Sequence, residues 1–309
     1  MRPILDTEKD LNPPNTLANA PLNVKKLRSY QVPETFHRYT PAETALYALG
    51  VGAGLADFDE TRYVYEEVIV ALPTMALVLG TPGFWLMNEA TGLDWPNILH
   101  GEQALRLHRP LRPTEDIVGR TEIGELADKG PDRPAILRCS RELVDRNSGA
   151  PIASLEEIWV IRGAGGFGGE DAPFFHPLPG MPEREPDAFL DLPTARNQAM
   201  LYRLTGDRNP LHIDQVIAAR GGFDQPILHG LATMGVVGRA LIRLCCDDDP
   251  SRLTAIRLRF TASVLPGDVV RTEVWRQGGI ARFRARVLQR EALVIDGGLA
   301  ETAGFSALA

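Results

Sequence analysis

Alternation of apolar and polar positions divides the chain into two similar stretches. Period-two runs at 104–111, 117–123, 136–145 and 152–162, each bounded by turn residues, predict four strands. A second series at 253–261, 268–276, 281–288 and 293–302 predicts four more. Each series follows a segment of helical character. Thr40, Pro41 and Glu43 make a helix start, with Thr40 as cap, Pro41 at the first position and Glu43 closing a capping box. Leu231 to Leu241 is an apolar run of helical length that begins beside Gly230. Residues 163–190 are crowded with Gly and Pro and read as a linker. Residues 1–33 are polar and broken by prolines, so an irregular arm is expected, with order beginning near Phe36. The units are then 34–162 and 191–309, each a helix followed by an antiparallel sheet. A sheet curled round its helix is the α+β solution that buries both apolar faces.

The two units repeat one another. Tyr47-Ala48-Leu49-Gly50 matches Tyr202-Arg203-Leu204-Thr205 about 155 residues later. Residues 72–80 lie on 227–235, and Arg106-Leu107 with Asp116 echoes Arg257-Leu258 with Asp268. The near-constant offset indicates duplication. Under it Asp207 falls opposite Gly52 and Gly230 opposite Met75, so the first unit lacks the carboxylate and the open backbone position. One active site per chain is expected, in the second unit.

The candidate chemistry lies between Thr205 and Gly230. In Gly206-Asp207-Arg208-Asn209-Pro210-Leu211-His212 a carboxylate and an imidazole stand five residues apart. Asn209 is a good N-cap and Pro210 suits a first helical position, so a helix is predicted to begin at Pro210 with His212 in its first turn. Asp207 then sits in the approach turn that Gly206 permits. Two groups that accept and donate protons around one water are what a hydration or dehydration step requires. Gly230, at the start of the apolar helix, offers a backbone N–H that a substrate carbonyl can approach, in the manner of an oxyanion hole. Each residue also has a plainer reading. Asp207 and His212 can cap local backbone, Asn209 can serve as N-cap alone, and Gly230 can be a helix-start glycine.

Composition narrows the classes. With 44% hydrophobic residues in 309, a substantial core is expected. A formal charge of −7 argues against general nucleic-acid binding, although local basic patches can still hold phosphate. Cys139, Cys245 and Cys246 form no CxxC pattern, which suits a reducing, cytoplasmic setting and gives no metal site. No run approaches about 18 uncharged apolar residues, so no membrane span is expected. Residues 1–33 hold no signal-peptide core, and Ser306-Ala307-Leu308-Ala309 is not an SKL-type ending. No cofactor is expected.

GDxNPxH followed by HID, GF, QPI and LHGLAT, running in order from Tyr202 to Gly235, resembles the R-specific 2-enoyl-CoA hydratases, or hydratase 2, of the MaoC-like group. Arg208 departs from the aromatic or aliphatic residue common there, which bears on substrate shape. The resemblance implies a double hot-dog fold over roughly 36–303 and hydration of trans-2-enoyl-CoA to (3R)-3-hydroxyacyl-CoA. It also implies an acyl-CoA partner and a homodimer; the first unit, freed of the catalytic residues, is expected to make room for a bulky acyl chain, long or of steroid side-chain type. Catalytic roles then fall to Asp207, His212, Asn209 and Gly230. His100, Gly101 and Lys129 are implied to hold the CoA moiety or acyl thioester, and Phe260 to line the ligand. Lys129 suits phosphate but can equally be a solvated turn lysine, and Phe260 can be strand core. His229 reads as structural, because it precedes the helix without a distinctive partner. Arg282, Arg284 and Arg286 alternate along one strand and read as a solvated face. A non-catalytic acyl-CoA-binding protein and a thioesterase are the other readings of the same fold.

Overall fold

The structure is a computed structural model that describes residues 21–169, 178 and 180–303. In the first half the elements are α1 (Val24–Ser29), β1 (Thr35–Tyr39), α2 (Pro41–Gly50), β2 (Ile98–Leu107), β3 (Glu115–Asp128), β4 (Ala135–Asp145) and β5 (Pro151–Ile161). In the second they are β6 (Ala188–Pro193), α3 (Gln198–Tyr202), α4 (Gln215–Arg220), α5 (Gly230–Cys245), β7 (Leu253–Phe260), β8 (Val269–Gln277), β9 (Ile280–Val287) and β10 (Ala292–Thr302). All ten strands form one antiparallel sheet in the order β1-β3-β4-β5-β2-β7-β10-β9-β8-β6. Read inward from either edge, the order is the same once five is subtracted from the second half. The eight alternating runs all appear as strands, and the duplication is expressed in topology.

The halves meet where β2 pairs with β7. The offset that carries Arg106 onto Arg257 carries Leu105 onto Ile256, and these two residues are Cα partners across the seam. A residue paired with its own repeat counterpart lies on the local two-fold. Glu102 on β2 accepts from Arg259 Nε on β7 at 2.9 Å, and Arg106 donates to Glu301 at 2.9 Å. Tyr47 and Tyr202, the matched tyrosines, are both buried and stand 6.1 Å apart between ring centroids.

The symmetry fails at the central helix. The second half has α5, sixteen residues long and buried from Ala232 to Ile242. Its counterpart in the first half is a single 3-10 turn, Pro73–Leu77, so the helix-then-sheet pattern holds fully in one half only. α5 serves both. A Cβ on Gly235 would meet Val51 Cγ1 at 2.3 Å, and one on Gly238 would meet Thr74 Cγ2 at 2.7 Å, so glycine lets the helix press against the first half. On the same helix Arg239, 3% exposed, donates from Nε to Glu60 at 2.7 Å and from a terminal nitrogen to the Val51 carbonyl at 2.9 Å.

Other expectations hold or change locally. The Thr40–Glu43 capping box forms, with the Thr40 N–H donating to Glu43 at 2.9 Å. Arg282, Arg284 and Arg286 share the outer face of β9, opposite buried Ala281, Phe283 and Ala285. Part of the expected arm is ordered. Asn23 caps α1, and Leu22 and Leu27 are buried against Trp85, Ile98 and Ile161, because two apolar residues suffice to seat one short helix; residues 1–20 lie outside the described residues. The expected linker also ends early. Residues 188–193 are the edge strand β6, held by β8 on one side only, with Asp187 N donating to the Val274 carbonyl at 2.8 Å. Most of 170–179 lies outside the described residues. No helix among the described residues is long and apolar enough to cross a membrane.

Gly235→Ala should lower stability by about 1–3 kcal/mol through overpacking against Val51, although alanine alone favours a helix by about 1 kcal/mol. Urea unfolding measures it; wild-type stability would mean that α5 can retreat from the first half.

Candidate active site

The loop from Gly206 to His212 is built as a sharp turn. Gly206 adopts φ +135°, a conformation closed to most side chains. Asp207 Oδ1 accepts from the Asn209 N–H at 3.2 Å, and Asn209 Oδ1 accepts from the Leu211 N–H at 3.0 Å. The side-chain oxygen of Asn209 is thus spent on capping, which leaves its NH2 group as donor. The helix predicted from Pro210 is one 3-10 turn, Pro210–His212. The chain then restarts, because Asp214 accepts from Val216 and Ile217 and so caps α4.

His212 is buried, and its Nδ1 lies 2.9 Å from the Ile227 carbonyl oxygen. A carbonyl only accepts, so Nδ1 carries the hydrogen and Nε2 is the acceptor of the neutral ring. Burial lowers the pKa of His212, and the charge of Asp207 opposes this in part. The ring is therefore neutral at ordinary pH and able to take a proton.

α5 begins at Gly230, and its first helical bond runs from Thr233 N to the His229 carbonyl at 3.0 Å. The N–H groups ahead of it have no carbonyl one turn earlier, and the helix dipole makes this end positive. A Cβ on Gly230 would stand 3.3 Å from the Phe260 ring, so the bare backbone fits beneath that aromatic face.

These parts border one cavity of about 220 Å³. Asp207, Asn209, His212 and Gly230 all line it, together with His100, Gly101 and Phe260. Gly101 is the extra residue of a bulge in β2, where His100 pairs with Trp159 and Glu102 with Ile158. A Cβ there would meet Val160 at 3.0 Å. The bulge sets the His100 ring 4.3 Å from Trp159 and 5.3 Å from Phe260, with Nε2 3.1 Å from the Glu102 carbonyl. Burial lowers the pKa of His100 as well, against the raising effect of Glu157 and Asp207. Lys129 is not among the cavity residues. It follows β3 at the β3–β4 turn, and β4 and β5 lie between that strand and β2.

Three further residues shape the site. His229 is fully buried and does have partners. Its ring stacks on His212 with centroids 3.8 Å apart, and its Nε2 lies 3.2 Å from the Asp207 carbonyl oxygen. Its pKa is held well below the usual histidine range by burial, then by His212. Position beside Gly230 was the one available signal. Phe84, on a loop, and Trp159, on β5, complete the aromatic wall, and no motif marks either. Asp207, His212 and His229 bring possible ligand atoms within 4.8 Å of one another. However, two rings 3.8 Å apart and inclined by 28° cannot both aim in-plane lone pairs at an ion about 2.0–2.1 Å from each, so the cluster fits a metal poorly.

Residues 178–297 match the MaoC like domain family and residues 37–163 the MFE-2 hydratase 2 N-terminal domain family. The chain is similar to 3-hydroxyacyl-thioester dehydratase Y of Mycobacterium tuberculosis, 38% identical over 85% of this chain and 92% of that protein. It is also similar to the peroxisomal enoyl-CoA hydratase 2 of Arabidopsis thaliana, 33% identical over 91% of this chain and 96% of the relative. Among solved structures, a MaoC-like dehydratase from Phytophthora capsici superposes with a TM-score of 0.78 at 33% identity, covering 91% of this chain and 99% of that one.

His100, His212 and His229 all have lowered pKa values, so below about pH 6.5 the unfolded chain binds protons that the folded one does not. Stability should therefore fall as pH drops from about 6.5 towards 5, before most carboxylates titrate. Urea unfolding at stepped pH measures this, and a flat curve across that window would contradict neutral buried histidines.

Proposed function

This chain belongs to the MaoC-like dehydratase family in its hydratase 2 form, with a double hot-dog fold, and on that basis we propose that it hydrates trans-2-enoyl-CoA reversibly to (3R)-3-hydroxyacyl-CoA. One observation carries the assignment of roles. A neutral imidazole with its Nδ1–H tied to backbone shares a cavity with a carboxylate and with the bare start of a buried helix.

In the proposed step, Asp207 and His212 hold one water between carboxylate and Nε2 and take a proton as its oxygen bonds to the β carbon. The electron pair of the double bond moves to the thioester oxygen, which the Gly230 N–H stabilises as the enolate forms. A proton then returns to the α carbon. The NH2 group of Asn209 orients the water or the acyl group, while His100, Gly101 and Phe260 flank the thioester. Lys129 is assigned no contact there. The helix missing from the first half supports a long or bulky acyl group. A second, smaller void of about 50 Å³ shares Phe84, Trp159, Asp207 and Leu231 with the main cavity and is lined beyond them by Leu77, Leu86 and the Arg141–Glu157 pair. An acyl chain extending beyond the β carbon would run towards that void. A homodimer and a cytoplasmic setting belong to the same proposal; Cys139, Cys245 and Cys246 are buried and unpaired, as a reducing compartment allows.

Crotonyl-CoA and longer enoyl-CoAs should lose their enoyl absorbance on addition of the protein without release of free CoA; release would indicate a thioesterase. Asp207→Asn and His212→Ala should each lower the rate about 100- to 10,000-fold with the circular dichroism unchanged. Wild-type rates in both folded variants would remove these residues from the chemistry. Tight binding with no turnover in the wild type would make the protein a binder.

A further inference from the structure

The proposed steps leave His229 without a task, although two rings pack against it. His212 stacks on it at 3.8 Å and Tyr202 lies against it at 4.9 Å, tilted by 52°. Its Nε2 faces the Asp207 carbonyl oxygen at 3.2 Å, so Nε2 carries the hydrogen. Nδ1 is then a bare lone pair, and among the described residues no group donates to it. A hydrocarbon ring of the same shape would fill this space without burying an unpaired acceptor. What the imidazole adds is the Nε2–H, and that bond goes to the residue carrying the carboxylate.

The bond has a counterpart. His212, from the loop 206–212, donates to the Ile227 carbonyl on the segment leading into α5. His229, from that segment, donates back to the Asp207 carbonyl on the loop. The bond to the Asp207 side chain itself, from the Asn209 N–H, stays within the loop and cannot fix it against the helix.

We propose that His229 is a positioning residue, one arm of a reciprocal histidine staple that holds Asp207 and His212 in register with the Gly230 amide. The proposal rests on the hydratase reading of those three groups. The proton pair acts at the β and α carbons and the amide acts at the thioester oxygen, so one rigid enoyl unit must meet two separate chain segments together. His229 directly precedes Gly230 and caps α5, so its ring ties the amide's own segment to the loop. A misplacement of about 1 Å between such groups can cost about 100-fold in rate.

Two substitutions separate the N–H from the ring. His229→Phe keeps an aromatic ring against His212 and removes the donor, whereas His229→Gln keeps an amide N–H near the place of Nε2. With crotonyl-CoA, His229→Phe should lower kcat about 10- to 100-fold, with KM little changed and a thermal midpoint close to wild type. His229→Gln should recover most of that kcat. Wild-type kcat in His229→Phe, or equal losses in both variants, would reduce His229 to packing and overturn the proposal. If His229→Phe does not fold, His229→Leu, smaller and also without a donor, replaces it, and failure of both to fold would likewise overturn a positional role. An inactive wild type would count against the hydratase reading instead, because the staple is tested only against measured wild-type turnover.

Discussion

A ten-stranded sheet with one long central helix is the constraint from which the remaining features follow. α5 must pack on β6, β7 and β8 of its own half and also on the 3-10 turn Pro73–Leu77 of the first. It does so with glycine where it touches the first half, at Gly235 and Gly238, and with buried apolar residues elsewhere. The price of sharing is a charged side chain in the interior. Arg239 emerges towards the first half and is neutralised there by Glu60, which also accepts from the Gly54 N–H at 2.8 Å. Removing one member of such a pair would strand the other, so the contact fixes the position of α5 more than it adds net stability. The position matters because Gly230 begins this helix, and any slide of α5 would carry the amide away from Asp207.

Electrostatics at the site follow from burial rather than from opposing charge. His100, His212 and His229 are all held towards the neutral form by desolvation, and each commits one ring nitrogen to a backbone carbonyl. Fixing the hydrogen on one nitrogen defines the other as acceptor, so tautomers are set by the chain and not by the substrate. The stacked pair His212–His229 adds a further restriction. Charging one ring would disfavour charging the other at 3.8 Å, so the site accommodates one extra proton far more readily than two.

Much of this was legible in the sequence because it is local or periodic. The eight inner strands follow from alternation, the Thr40–Glu43 cap from residue types, and the duplication from offsets such as Arg106 to Arg257, which the seam pairing of Leu105 with Ile256 bears out. The Asp207 loop was legible as a turn, since Gly206, Asn209 and Pro210 each have one favoured use. Features without local cause were missed. β1 and β6 are short edges with one neighbour each, so their alternation is weak. The helix expected at Pro210 stops after one turn, since a competing cap, Asp214, lies close behind. His229 and Trp159 owe their places to long-range packing, and Lys129, implied by the resemblance, follows β3, with β4 between that strand and the cavity wall on β5.

The β2–β7 seam has a consequence for how the protein meets low concentration. The cavity draws His100, Gly101 and Trp159 from one side of that seam and Asp207, His212, Gly230 and Phe260 from the other. Were the halves separate chains, this pocket would come apart as the solution was diluted, because its walls would be held together by a bimolecular equilibrium. Carried on one polypeptide, they meet at an effective concentration set by the connecting chain, which no dilution alters. The pocket is thereby complete in a single molecule, whatever that molecule's own association state.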